Sequence, residues 1–107
     1  MDQRDKRRKK IRLLVQAEPG SIRAFTADVS AGGLFLVSTK VLKPGTRIRL
    51  LVRGGEEIAL GVGVVRWAKR VPPHLIRTTR GGMGIEFTWV SPELRKVLND
   101  TLAEPCD

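Results

Sequence analysis

Arg47-Ile48-Arg49-Leu50-Leu51-Val52-Arg53, running into Gly54-Gly55-Glu56, is the stretch that decides the fold. Its alternation with a period of two places Ile48, Leu50 and Val52 on one face of a strand and Arg47, Arg49 and Arg53 on the other. Lys43-Pro44-Gly45 supplies a turn before the strand, and Arg53-Gly54-Gly55-Glu56 reads as a hairpin turn after it.

Working outward, Ile58, Leu60, Val62 and Val64 continue the period of two, whereas Val65 and Trp67 fall on the other phase. A bulge near Val64, or a bend where a sheet closes, accounts for that slip. Upstream, Ile11 to Ala17 reads as a strand stopped by the Glu18-Pro19-Gly20 turn, Ile22 to Val29 as a second and Leu34 to Val37 as a third. Met83, Ile85 and Phe87 give the last strand its apolar face, with Gly82 and Gly84 opposite. Short strands divided by Pro/Gly turns predict an all-β fold, an antiparallel barrel whose closure removes exposed edges. One helix ends the chain: Ser91 is the expected N-cap, Pro92 suits the first helical position and Glu93 complements the dipole. Leu94, Val97, Leu98 and Leu102 then recur at helical spacing, giving one apolar face to lay on the barrel.

Composition narrows the function. The chain has 107 residues, enough for one domain, and its 41% hydrophobic content argues for a folded globule. Residues 1–10 read as a flexible basic tail and 11–103 as a single domain. No apolar run approaches the ~20 residues that cross a bilayer. The positive N-terminus lacks the apolar stretch of a signal peptide, so a cytoplasmic protein without membrane insertion is expected. The net charge of +9 favours anionic partners. Seven cations against two carboxylates put about five of those charges in the first twelve residues. A lone cysteine, Cys106, excludes an intramolecular disulfide, and one Cys with one His leaves no zinc set. No nucleophile–base or paired-carboxylate constellation is in view, so an enzyme is not expected. With no Tyr and three Phe, the chain offers few strand aromatics for stacking on bases, which disfavours nucleic acid as the partner.

Two short clusters carry ligand chemistry. Arg8-Lys9-Lys10-Ile11-Arg12 sets two arginines four apart where the tail meets the first strand. Asp28-Val29-Ser30-Ala31-Gly32-Gly33 sets a carboxylate, a hydroxyl and glycines at a turn between two apolar runs. A guanidinium forks onto guanine O6 and N7, pairs with phosphate and stacks on a base. A carboxylate accepts from guanine's opposite edge, and glycine admits close backbone approach. Asp28 and Ser30 are equally at home as turn formers, and the two roles are compatible.

In their order and separation, and with the later Gly82-Met83-Gly84-Ile85-Glu86-Phe87 run, these clusters resemble the PilZ domain family, bacterial receptors for cyclic di-GMP. The resemblance covers nearly the whole chain. Arg8 and Arg12 match its RxxxR motif; Asp28, Ser30 and Gly33 match its D/N-x-S-x-x-G motif. It implies a six-stranded antiparallel barrel with one C-terminal helix and cyclic di-GMP as ligand, with no other cofactor. The implied mechanism wraps the tail over the ligand above the Asp28–Gly33 turn. The output goes to an unidentified downstream protein concerned with motility, pili, polysaccharide or biofilm. Arg7 directly precedes the motif; in the family an arginine there accompanies a stacked ligand pair, so two cyclic di-GMP per protomer are expected. The alternative is an adaptor of the same fold that does not bind the nucleotide. Trp67 and Trp89 read as core or helix-packing residues, Arg66 as a groove or solvated position, and His74 as a surface residue. The Arg70–Arg80 loop, with three arginines beside Leu75 and Ile76, suits partner docking.

Overall fold

The computed structural model describes residues 8–75 and 80–103. Seven strands are present: β1 Arg8–Lys9, β2 Leu14–Glu18, β3 Ile22–Ser30, β4 Gly33–Val37, β5 Arg47–Gly54, β6 Glu57–Lys69 and β7 Gly82–Val90. A short 3-10 turn, Pro73–Leu75, follows β6, and helix α1, Pro92–Ala103, follows β7. Strands β2 to β7 close in the order β3-β2-β5-β6-β7-β4, with β4 returning to β3, every pairing antiparallel. The result is the closed six-stranded barrel with one C-terminal helix, and β1 is a short extra strand laid on β3.

Ile48, Leu50 and Val52 are buried as their alternation requires, and they meet Val15, Val29, Leu34, Leu36, Met83 and Ile85 inside the barrel. The hairpin joining β5 to β6 turns on Gly55 and Glu56, between the paired Gly54 and Glu57. Gly55, at φ 63°, takes the left-handed conformation that such a turn wants at its first loop position. Leu94 and Leu98 of α1 plug one barrel end. Ser91 caps the helix as expected, its Oγ accepting from the Leu94 N–H at 3.0 Å. The same hydroxyl oxygen accepts from the Leu60 N–H at 3.2 Å, tying the cap to β6.

Three features differ from the sequence reading. On β6 the buried positions are Ala59, Gly61, Gly63 and Val65, while Ile58 and Leu60 face water. Pairing with β5 decides this: Val52 lies opposite Ala59, Leu50 opposite Gly61 and Ile48 opposite Gly63. Opposed residues share a face, so the inward side of β5 draws the small residues in. Their smallness is needed: a Cβ at Gly61 would stand 2.7 Å from Leu94 Cδ2, blocking the helix.

The predicted first strand, from Ile11, is interrupted. Arg8 and Lys9 already pair with Ser30 and Val29, and regular pairing resumes only at Leu14. Thr26 bridges the irregular stretch: its hydroxyl donates to the Ile11 carbonyl at 2.5 Å and accepts from the Leu13 N–H at 2.8 Å. The chain therefore enters the sheet before residue 11; residues 1–7 lie outside the described residues.

The bulge expected near Val64 is resolved into two register shifts along β6 and β7. Val65 faces Ile85 and Trp67 faces Gly84, which leaves Arg66 as the extra residue. Val62 faces Trp89 and Gly63 faces Phe87, which leaves Thr88 extra on β7. A further bulge on β3 leaves Ala27 extra between the pairs Thr26–Leu36 and Asp28–Phe35.

Candidate functional site

Two of these bulges build the site. Before Arg66, β6 points its odd-numbered residues inward; after it, Trp67 points outward. An extra residue re-aims the side chains on either side of it, so Arg66 and Trp67 project together. On β3 the extra Ala27 does the same for Asp28, which lands opposite the outward Phe35. One cross-strand row then reads Trp67, Gly84, Phe35, Asp28, over β6, β7, β4 and β3.

Gly84 is what lets the row close. A Cβ there would overlap the Trp67 indole nitrogen, so the ring lies flat over the bare backbone and reaches Phe35. The two rings stack with centroids 5.0 Å apart and planes 23° from parallel. Trp67 remains 48% exposed beside the cleft, which corrects the expectation of a core or helix-packing residue. Trp89, on β7 just ahead of α1, is 53% exposed and lines a hollow with Pro92, Arg95 and Lys96 of the helix. Periodicity could not show where Trp67 points, because the phase of β6 depends on a partner strand.

The adjoining row brings Arg8, Ser30, Gly33 and Glu86 together by register, Arg8 opposite Ser30, Ser30 opposite Gly33 and Gly33 opposite Glu86. Between the rows lies a cleft of about 440 Å³, lined by Arg8, Ser30, Gly32, Gly33, Arg66 and Trp67 over a floor of Gly84, Ile85 and Glu86. That volume falls in the range of small-molecule sites. Gly33 has no room for a side chain, since a Cβ would overlap the Ile85 carbonyl oxygen. The Ser30 hydroxyl holds the turn, accepting from the Gly32 N–H and donating to the Gly33 carbonyl, both at 3.3 Å.

Electrostatically the cleft is lined by paired charges. Arg8 forms an ion pair with Asp28, and Arg66 with Glu86. Both pairs are substantially exposed, so each is worth only about 0.2–1 kcal/mol and is easily exchanged for an anionic ligand.

Of the sequence-derived candidates, the structure gathers Arg8, Asp28, Ser30 and Gly33 at this cleft. Arg12 stands elsewhere, its guanidinium 4.0 Å from the centre of the Phe25 ring on the outer wall. Arg7 lies outside the described residues, as do Cys106 and residues 76–79 of the Arg70–Arg80 loop. Trp67, Phe35, Gly84 and Glu86 join the site without having been marked for it, and Arg66 settles there. Their sequence signals were the phase slip near Val64 and the Gly82–Phe87 run. Among the described residues, no three His, Cys, Asp or Glu side chains come together to hold a metal, and no helix is long and apolar enough to cross a membrane.

A closed barrel with a terminal helix bears two arginine-carboxylate pairs beside a glycine-floored cleft. The chain belongs to the PilZ domain family, whose sequence profile matches residues 2–104. Its fold is similar to that of the Bacillus subtilis inhibitor of motility, MotI/DgrA, with a TM-score of 0.72 and 24% identity. The match covers 88% of this chain and 46% of that one, so this chain spans just under half the length of that protein. No curated protein sequence matches the chain.

Proposed function

We propose that this chain is a cyclic di-GMP receptor and adaptor, with the cleft beside Arg8 as its binding site. One observation supports this above all: two motifs twenty residues apart in sequence meet as the Arg8–Asp28 ion pair at the mouth of the cleft. Arg8 and Arg66 offer guanidinium groups to phosphates or guanine edges, and Trp67 offers a ring face for a base. Asp28 and Glu86 offer acceptors for guanine N–H groups.

Binding proceeds by exchange. Arg8 leaves Asp28, giving up about 0.2–1 kcal/mol, and gains hydrogen bonds to a charged ligand worth about 1.5–3 kcal/mol each. Arg12 swings from Phe25 to close the tail over the ligand. The tail that precedes β1 wraps over the ligand, and the altered surface is read by a downstream protein concerned with motility, pili, polysaccharide or biofilm. Arg7, by offsetting crowded phosphates, supports a stacked pair of ligands. The protein acts in the cytoplasm and is not an enzyme.

The second reading, an adaptor that does not bind the nucleotide, is favoured by the position of Arg12 over Phe25, away from the cleft. Chemical-shift mapping separates the two. Cyclic di-GMP should move the amides of Gly32, Gly33 and Gly84 and the Trp67 indole N–H saturably. Absence of shifts at these four groups would leave the adaptor reading.

A further inference from the structure

The outer wall of β2, β5 and the first half of β6 is built in three cross-strand rows that share no residue with the cleft. Leu14 lies opposite Arg53, which lies opposite Ile58. Gln16, Leu51 and Leu60 form the next row, and Glu18, Arg49 and Val62 the third. An aliphatic stripe therefore faces water, with Ile58 56% and Leu60 49% exposed and Leu51 beside them. Single exposed leucines are ordinary on a protein surface; a contiguous stripe signals an interaction site.

The stripe has shape and charge. Leu14, Gln16, Arg23, Leu51, Arg53 and Ile58 enclose a pit of about 40 Å³, room for one small apolar side-chain tip. One row away, a wider hollow of about 580 Å³ lies between Glu18-Pro19 and Arg47, Arg49 and Val62. The Arg8–Asp28 and Arg66–Glu86 ion pairs lie at the cleft, and among the described residues Arg23, Arg49 and Arg53 hold none. An apolar centre with an arginine rim is the anatomy of a protein–protein contact.

We infer that this wall docks an acidic segment of another protein, which places an aliphatic side chain in the pit and carboxylates on Arg23, Arg49 and Arg53. Charge complementarity selects this occupant. A second copy of the chain would set one arginine face against another. A planar anionic lipid surface would have to meet Glu56 and Glu57, which precede Ile58 at the hairpin tip and are exposed, whereas a narrow segment need not. Nucleic acid would find exposed rings at opposite edges of the wall, Phe25 beyond Leu14 under the Arg12 guanidinium and Trp89 beyond Val62, with an aliphatic centre between them that offers a base no stacking face. The inference does not depend on nucleotide binding.

The test selects random displayed peptides on the intact chain, with the Ile58→Glu and Leu60→Ser chains as counter-screens and folding checked by circular dichroism. Peptides with an aliphatic residue flanked by Asp or Glu should be enriched on the wild-type chain. The best of them should bind about tenfold more weakly to Ile58→Glu, to Leu60→Ser and to Arg53→Glu, and with unchanged affinity to Trp67→Ala. The inference is overturned by no enrichment, by enrichment of acidic peptides lacking an aliphatic residue, or by equal binding to the variants. Tighter binding of polyuridylate or phosphatidylglycerol vesicles to the same wall would also overturn it.

Discussion

Phe35 and Trp67 stack across an intervening strand, their ring centroids 5.0 Å apart, because the position between them is Gly84. Trp67 forms one wall of the cleft with Phe35 stacked against it, and an exposed indole fixed in orientation loses little entropy when a base covers it. Trp67→Ala should therefore cost about 1–3 kcal/mol of cyclic di-GMP affinity, the usual worth of one base–aromatic stack. Trp67→Phe should recover most of it. Calorimetry on both variants checks this; equal affinity in wild type and Trp67→Ala would remove the ring from the site.

Gly84 and Gly33 make a contrasting pair. A Cβ at Gly84 meets the Trp67 side chain, which can swing into solvent, whereas a Cβ at Gly33 meets the Ile85 backbone, which cannot. Gly33→Ala should destabilise the fold by about 1–3 kcal/mol, as overpacking does. Gly84→Ala should cost less stability but displace the indole, changing its fluorescence and weakening the ligand. Denaturant unfolding of the two variants, followed by tryptophan emission, would reveal an inverted order.

Ser91→Ala separates fold from site. Its hydroxyl serves both the Leu94 and Leu60 N–H groups, far along β6 from the cleft. Loss of the cap should reduce stability by about 0.5–2 kcal/mol. Cyclic di-GMP affinity should stay unchanged when measured well below the melting temperature. A matching loss of affinity would mean that helix and cleft are coupled.

Much of this fold was legible in the sequence because its signals are local. The inward set of β5, the Glu18-Pro19-Gly20 turn and the Ser91 cap depend on residues within a few positions of one another. The facing of β6 was not legible: Ile58 and Leu60 keep perfect alternation, yet register with Val52 and Leu50 turns them outward. The site divides the same way. Arg8, Asp28, Ser30 and Gly33 were found as motifs, whereas Arg66 and Trp67 owe their direction to a bulge that exists only against β7. Arg12 was expected at the cleft, but the irregular stretch held by Thr26 delivers it to Phe25 instead.

Arg7 bears on stoichiometry. If a second ligand stacks on the first, an added guanidinium offsets the repulsion between their phosphates. Wild type should saturate at two cyclic di-GMP per chain and Arg7→Leu at one. Analytical ultracentrifugation with absorbance at the guanine band counts both; one ligand per chain in each protein would leave Arg7 as a solvated charge.

The proposed recognition of guanine and phosphate at the cleft runs through Arg8. Its most direct test is a calorimetric titration of the full chain with cyclic di-GMP and with cyclic di-AMP, repeated on Arg8→Ala. Wild type should bind cyclic di-GMP near micromolar, about −8 kcal/mol, and cyclic di-AMP far more weakly. Arg8→Ala should lose about 1.5–3 kcal/mol while remaining folded. Equal affinity for the two dinucleotides, or full affinity in folded Arg8→Ala, would contradict the account.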